Sequence, residues 1–123
     1  MSKKIFIVEN EFIIAEDLTM MVEQMGYQTV GHARSLPDAV DRIASSSPDL
    51  VLLDVQLSEK TDGLELASWL QERQISFVYV SSFSDPVTRQ AMEATAPIGY
   101  LSKPFDQDDV QDALQKAFEV LRC

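Results

Sequence analysis

Acidic, amide, hydroxyl and ammonium side chains stand where four short apolar runs of this sequence end. The residues in question are Glu9, Asn10, Asp54, Ser81 and Lys103. Oxygen ligands around a partly hydrated site suit Mg²⁺, which prefers one or two carboxylates together with phosphate oxygens. A carboxylate beside a bound cation and a lysine is also an acceptor for a phosphoryl group, because the positive charges offset charge on the transferring oxygens. If one fold brings these positions together, they predict a site for Mg²⁺ and phosphoryl transfer.

Each of these residues also has an ordinary explanation when it is taken alone. Lys103 is then a loop lysine, and Ser81 with its neighbour Ser82 is a pair of turn residues. Asp54 is then a helix or turn cap, although it directly follows "LVLL", where an unused charge is costly. The occurrence of such groups at four predicted strand ends favours one functional site over four unrelated explanations.

Hydrophobic patterning predicts the elements that must position these residues. Short apolar runs with little alternation, typical of parallel strands covered on both faces, occur at 4–8, 28–33, 49–54, 77–81 and 98–102. Segments with helical spacing of apolar residues alternate with these runs, and the third predicts a helix over roughly 63–73. Ser35 with Asp38 predicts a capping box at the second helix. Asp85 and Asp106 predict the starts of the fourth and fifth helices.

The alternation of strand and helix predicts a single doubly wound α/β domain of (βα)5 type. Right-handed crossovers place the helices on both faces of a five-stranded parallel sheet. The expected strand order is 2-1-3-4-5, as in flavodoxin-like folds, whose ligands bind beyond the carboxyl ends of the strands. We therefore expect the candidate residues to share one edge of the sheet.

Composition narrows the classes of function. The 123 residues, of which 46% are hydrophobic and 24% charged, are enough for one domain with its own core. A net charge of -10 opposes direct binding of nucleic acid. No apolar run has the length of a membrane span, and a single cysteine, Cys123, excludes an internal disulfide. We therefore expect a cytoplasmic protein that contacts neither nucleic acid nor membrane.

Five segments together carry the pattern of a known family. They are "IFIVENE", "PDLVLLDVQL", "DGLEL", "VYVSSFSD" and "GYLSKPF". With them the chain resembles, from Lys4 to Leu121, the CheY-like receiver (phosphoacceptor) domain of two-component response regulators. The resemblance implies a phosphorelay signalling domain rather than an enzyme, with a histidine kinase or phosphotransfer protein as its donor. Residues 1–123 are expected to be one receiver domain with no output domain among them.

The resemblance implies a set of residues around Mg²⁺ and the phosphoryl group. Asp54 is implied to accept the phosphoryl group from a kinase phosphohistidine. Glu9 is implied to help hold Mg²⁺, together with Asp54 and the backbone carbonyl of Gln56. At the family's second acidic position this sequence has Asn10, which offers one neutral carbonyl oxygen. We therefore expect weaker metal affinity and slower phosphotransfer, since ligand charge tunes the affinity of sites for hard cations.

The resemblance also implies how a phosphorylation signal would leave the site. Lys103 is implied to pair with the phosphoryl oxygens, and its bond to Pro104 corresponds to one that is cis in the family. Ser81 stands at the position that hydrogen-bonds the phosphoryl group, and Tyr100 at that of an aromatic switch which turns inward when the hydroxyl moves. These roles imply a change at the surface of helix 4, strand 5 and helix 5, where a downstream protein would bind. Helix 4 has few large apolar anchors, so we expect a monomer or a weak homodimer.

Two other interpretations remain open. The chain is alternatively a pseudo-receiver, an interaction module without efficient phosphorylation, because Asn10 replaces an acidic metal ligand. Four retained residues argue against it, namely Asp54, Ser81, Tyr100 and Lys103. A flavin carrier or a phosphatase on the same fold is disfavoured, since "ENEF" after the first strand is not a Ser/Thr/Gly-rich phosphate loop. His32, the only histidine, is interpreted as structural rather than catalytic.

Overall fold

Five strands form one parallel sheet in the computed structural model, which describes residues 3–55, 62–82 and 86–121. The strands are β1 (Lys4–Val8), β2 (Gln28–Ala33), β3 (Leu50–Asp54), β4 (Phe77–Ser81) and β5 (Gly99–Ser102). The helices are α1 (Phe12–Gln24), α2 (Leu36–Ser46), α3 (Asp62–Glu72), α4 (Pro86–Ala94) and α5 (Gln107–Leu121). The strand order is β2-β1-β3-β4-β5, and neighbouring strands are parallel. The predicted doubly wound α/β fold and its strand order are confirmed.

The predicted strand boundaries agree with the structure to within one residue. β3 and β5 each begin one residue later than expected, at Leu50 and Gly99. The residue before β3, Asp49, serves the turn instead, because its carboxylate accepts a hydrogen bond from the backbone amide of Lys4 at 2.7 Å. The turn before β3 is thus tied to the start of β1, its neighbour in the sheet.

The sheet is buried on both faces, which explains why its central strands are continuously apolar. Successive side chains of a strand point to opposite faces. In β1, Phe6 and Val8 belong to the core formed with α2, α3 and Met92 of α4. Ile5 and Ile7 belong to a second core formed with α1 and α5. Burying each such side chain contributes about 1.5–3 kcal/mol relative to leaving it exposed, so the two layers hold the strand ends firmly.

The helix starts predicted at Ser35 and Asp106 are confirmed, but the capping box predicted at Ser35 is wrong. Asp106 and Asp109 form a reciprocal capping box at α5, with hydrogen bonds of 2.9 and 3.0 Å between each carboxylate and the other's backbone amide. Ser35 is the N-cap residue of α2, but its side chain caps no backbone amide within the described residues. The predicted partner Asp38 instead reaches along the helix to Arg42, 3.7 Å away. Asp85, the predicted start of the fourth helix, lies outside the described residues.

Strand register brings the candidate residues to one edge of the sheet. β1 and β3 pair through Val8 and Leu53, so Glu9 and Asp54 are the next positions on adjacent strands. The segment after β5 joins them, because the backbone amide of Lys103 donates to the carbonyl at the end of β4 at 3.0 Å. Within the described residues, no helix combines the length and the apolar character that a membrane crossing requires.

Candidate functional site

Two buried carboxylates share one ammonium group at the carboxyl edge of the sheet. Glu9 is 1% exposed and Asp54 is 6% exposed. Lys103 Nζ lies 2.8 Å from Glu9 Oε1 and 3.5 Å from Asp54 Oδ2. The structure therefore places three residues that the sequence predicted for one site in direct contact, although they come from the ends of three different strands.

Glu9 is held by its surroundings but keeps one oxygen suited to a cation. Its Oε2 accepts a hydrogen bond from the backbone amide of Glu11 at 3.0 Å. Its Oε1 has the Lys103 ammonium at 2.8 Å, yet no hydrogen bond of acceptable geometry from any described residue. The contact is therefore an ion pair in which the Lys103 ammonium does not approach Oε1 along the direction of a hydrogen bond. A buried carboxylate oxygen in that condition retains capacity for a metal ion.

Lys103 is charged in this setting because its partners outweigh its burial. Burial alone lowers the pKa of Lys103, but the close contacts of its ammonium with the carboxylates of Glu9 and Asp54, and their Coulomb attraction, raise it above the ordinary value of 10.5. The peptide bond between Lys103 and Pro104 is cis, as the family resemblance implied. Because its pKa is raised, the Lys103 ammonium remains a positive charge for any anionic group that enters the site.

The remaining predicted metal ligands give a small donor set. Asn10 follows Glu9 directly and is exposed, whereas Gln56 lies outside the described residues. Among the described residues, no group of three or more His, Cys, Asp or Glu side chains is arranged to hold a metal ion. Two carboxylates and a neutral amide fit a partly hydrated Mg²⁺, which keeps several waters, better than they fit a cation needing a closed protein cage.

Ser81 lies at this edge of the sheet, and Tyr100 lies on β5 beside α4. Ser81 ends β4 and is only partly exposed. Tyr100 is 36% exposed, and its ring stacks on that of Tyr79 with centroids 6.0 Å apart. The Arg89 guanidinium of α4 lies 4.9 Å from the centre of the Tyr100 ring, within cation–π distance. Tyr100 is therefore turned outward in this structure, against α4.

Two contacts at this site were missed by reasoning from the sequence. The His32 ring lies 3.0 Å from the backbone carbonyl oxygen of Glu9, and Arg89 packs on the predicted switch residue Tyr100. A polar residue within a strand run was the available signal for His32. No pattern in the sequence pointed to Arg89.

A groove of about 400 Å³ opens beside Lys103 between α1 and the segment after β5. Its lining is mixed, with apolar walls and few charged groups; it comprises Ile14, Asp17, Met21, Ser82, Lys103, Pro104 and Phe105. Lys103, whose ammonium contacts both buried carboxylates, thus borders a groove on the α1 side.

Comparison with known proteins agrees with this fold. The profile of the response regulator receiver domain matches residues 5–115. The chain is 33% identical over 122 residues to the transcriptional regulatory protein PdtaR of Mycobacterium tuberculosis, covering 98% of this chain but 58% of that protein. It is 30% identical to sporulation initiation phosphotransferase F of Bacillus subtilis, covering 94% of both. The chain thus spans little more than half the length of the first relative and nearly all of the second.

A solved structure has the same fold over the whole chain. It is the signal receiver domain of a modulated diguanylate cyclase from Desulfovibrio desulfuricans G20, with a TM-score of 0.91 and 27% identity. The alignment covers 99% of this chain and 98% of that one. Together with the profile match over residues 5–115, the sequence relatives and the shared strand order, this places the chain in the response regulator receiver domain family of two-component signalling.

Proposed function

We propose that residues 1–123 act as one receiver domain that takes a phosphoryl group onto Asp54 from the phosphohistidine of a kinase or phosphotransfer protein. The observation that carries the proposal is the Lys103 ammonium in contact with the two buried carboxylates Glu9 and Asp54. A site with buried acids and a fixed cation stabilises a transferring phosphoryl group through charge and positioning.

In this proposal the chain's own residues have separate roles. An Asp54 carboxylate oxygen attacks phosphorus, and the bond from phosphorus to the donor imidazole nitrogen breaks. Lys103 exchanges its contact with Glu9 for one with a phosphoryl oxygen, and the Ser81 hydroxyl donates to another. The groups that would hold Mg²⁺ are the carboxylates of Glu9 and Asp54, the side-chain amide oxygen of Asn10 and the backbone carbonyl of Gln56. The bound ion would supply positive charge that offsets the phosphoryl oxygens.

The output of the proposed switch runs through Tyr100. Movement of Ser81 toward the phosphoryl group would open space beside β4 into which the Tyr100 ring turns. This rotation of the Tyr100 ring would break its contact with Arg89. It would also reshape the surface of α4, β5 and α5, where a downstream protein would bind. A few kilocalories of new contacts at Asp54 are enough to bias such a two-state element.

A second candidate function is a phosphorylation-independent interaction module. It is favoured by Asn10 at the second acidic position and by the 2.8 Å pair of Lys103 with Glu9, which already gives one buried acid a cation without metal. In that case the surface of α4, β5 and α5 would bind its partner without any change at Asp54.

Intact mass after incubation with acetyl phosphate, with and without Mg²⁺, separates the two candidates. We expect a phosphoryl adduct that depends on Mg²⁺ in the wild type and is absent in Asp54→Ala. Asp54→Asn is the matched control, because it keeps the size of the side chain and removes only the nucleophilic carboxylate. A folded wild-type protein without adduct at any Mg²⁺ concentration would favour the interaction module.

A further inference from the structure

His32 makes a hydrogen bond that reaches the acidic site from β2. Its Nε2 lies 3.0 Å from the backbone carbonyl oxygen of Glu9. A carbonyl oxygen only accepts, so the imidazole donates and carries its proton on Nε2. The contact spans 23 residues of sequence, and it ends on the residue whose side chain pairs with Lys103.

A shift in strand register puts His32 on the correct face for this bond. The pairing of β1 with β2 is interrupted between Ile5 and Phe6, so that Ile7 pairs with His32. Paired residues of parallel strands point to the same face, and Ile7 belongs to the core formed with α1 and α5. The His32 ring accordingly lies toward α1, where it lines a groove of about 220 Å³ with Ala15 and Thr19 among others.

The hydrogen bond holds a peptide unit that both candidate metal ligands share. The backbone carbonyl of Glu9 and the backbone N–H of Asn10 belong to one planar peptide unit. Fixing the Glu9 carbonyl oxygen therefore also orients the backbone of Asn10. The Glu9 amide donates to the carbonyl of Ala33 at 3.0 Å, so adjacent residues of β2 hold both polar backbone groups of Glu9. His32 is itself anchored, because the Arg42 guanidinium of α2 donates to its backbone carbonyl.

We propose that His32 is a positioning residue which orients the peptide unit of Glu9 and Asn10 for the metal and phosphoryl site. The proposal rests on the function proposed above and adds a residue to it. With a neutral Asn10 the site has one charge fewer to attract the metal ion, so affinity depends more heavily on placing the Asn10 oxygen correctly. Groups that orient metal ligands from outside the coordination sphere contribute substantially to affinity.

Three variants test this role by varying the reach of the donor. His32→Gln places an amide N–H near the position of Nε2, His32→Asn retains a donor that is too short, and His32→Phe keeps the ring without a donor. Mg²⁺ affinity is measured by isothermal titration calorimetry, and stability by urea unfolding. We expect His32→Asn and His32→Phe to weaken Mg²⁺ binding by about two- to tenfold, the range for one lost hydrogen bond, and His32→Gln to restore most of it.

A purely structural role for His32 predicts a different result. All three variants would then lose stability while each folded protein bound Mg²⁺ like the wild type, and that outcome would overturn the proposal. If His32→Phe fails to fold, the comparison of the Gln and Asn variants, which are both polar, still decides.

A readout without metal separates this inference from the proposed function. Nitrogen-15 NMR of the wild type is expected to show the Nε2-protonated tautomer, with an Asn10 amide shift that changes in His32→Asn and is restored in His32→Gln. If the wild type shows these signals but binds no Mg²⁺, the proposed function is contradicted. The positioning role of His32 is then overturned as well, because the peptide unit that it orients has no metal ion to bind. A wild type that binds Mg²⁺ with the Nδ1-protonated tautomer would overturn the His32 inference alone.

Discussion

At the residue scale, the site holds more negative charge than it can neutralise by itself. Glu9 and Asp54 are both buried, and Lys103 contacts both. At an effective dielectric of about 20, the Coulomb attraction is about 6 kcal/mol for the 2.8 Å pair with Glu9 and about 5 kcal/mol for the 3.5 Å pair with Asp54. Removing each ion from water costs several kcal/mol, so one ammonium does not offset two buried acids. The residual negative charge favours binding of a further cation beside Asp54.

In the proposed function, Asn10 tunes how strongly that cation is held. We expect Asn10→Asp to tighten Mg²⁺ binding by about tenfold, because it adds a negative charge to a site for a hard cation. The same change should lower the stability of the metal-free protein, since the added acid has no cation of its own. Calorimetric titration and urea unfolding measure the two effects. Asn10→Ala, which removes the amide oxygen without adding charge, should weaken binding, and unchanged affinity in the Asp variant would contradict the role given to Asn10.

At the element scale, α3 is packed directly on the backbone that follows Asp54. A Cβ atom built on Gly63 would lie 2.2 Å from the carbonyl oxygen of Val55. Such an approach is impossible for any residue other than glycine, because the obstacle is backbone rather than a movable side chain. Since Val55 follows Asp54, the start of α3 holds the end of β3 in place.

Gly63→Ala should therefore destabilise the protein and disturb the site together. We expect the free energy of unfolding to fall by about 1–3 kcal/mol, the usual cost of overpacking, with a further loss of phosphoryl adduct on Asp54. Gly99→Ala in β5 is the matched control, because its Cβ would lie 3.7 Å from Val78 Cγ2, an ordinary contact. Urea unfolding of both variants is the measurement, and equal stabilities would show that α3 accommodates the added methyl group.

The strands were predicted correctly from local patterns, whereas one side-chain capping motif was not. The strands were predicted to within one residue, since burial on both faces leaves a continuous apolar run. The capping box predicted at Ser35 was wrong, since the Ser35 side chain caps no backbone amide in the described residues and Asp38 pairs with Arg42 one turn along the helix. The helix start predicted at Asp106 was correct, and the structure adds a capping box there, with the Asp109 carboxylate bonded to the Asp106 amide.

At the scale of the whole molecule, two titratable side chains make the free energy of unfolding depend on pH in the alkaline range. They are Tyr79 in β4 and Lys103, which directly follows β5. Burial raises the pKa of Tyr79 to about 12 from 10.0, and the acidic partners of Lys103 raise its pKa above 10.5. The Thr95 hydroxyl accepts from Tyr79 at 2.6 Å, since its own proton goes to the carbonyl of Met92. In both cases the folded protein binds the proton more tightly than the unfolded chain does.

The sign of the pH effect follows from linkage. The stabilisation is fully present below the unfolded pKa values and is lost as the pH rises through the folded ones. We expect the free energy of unfolding to fall by about 1–3 kcal/mol between about pH 9 and pH 12. Urea unfolding across this range is the measurement. Tyr79→Phe, which leaves the Thr95 bond to Met92 intact, should flatten the dependence, and an equally steep loss in that variant would exclude Tyr79 as a main source.

The sequence by itself determined the order of the elements and which residue types stand at the strand ends. Hydrophobic periodicity is a local property of the chain, and the handedness of the crossovers then restricts the sheet to few orders. The carboxyl ends of parallel strands meet at one edge, so Glu9, Asp54 and Lys103 could be assigned to one site before any distance was known.

Only the tertiary structure decided which of these groups touch and what orients them. Lys103 lies closer to Glu9 than to Asp54, because side-chain placement depends on neighbours that are distant in the chain. His32 reaches the Glu9 carbonyl because the register of β1 and β2 shifts by one residue, which turns the ring toward α1. Side chains alternate between the faces of a strand, so one residue of register reverses the face, and no pattern within β2 alone encodes its register with β1.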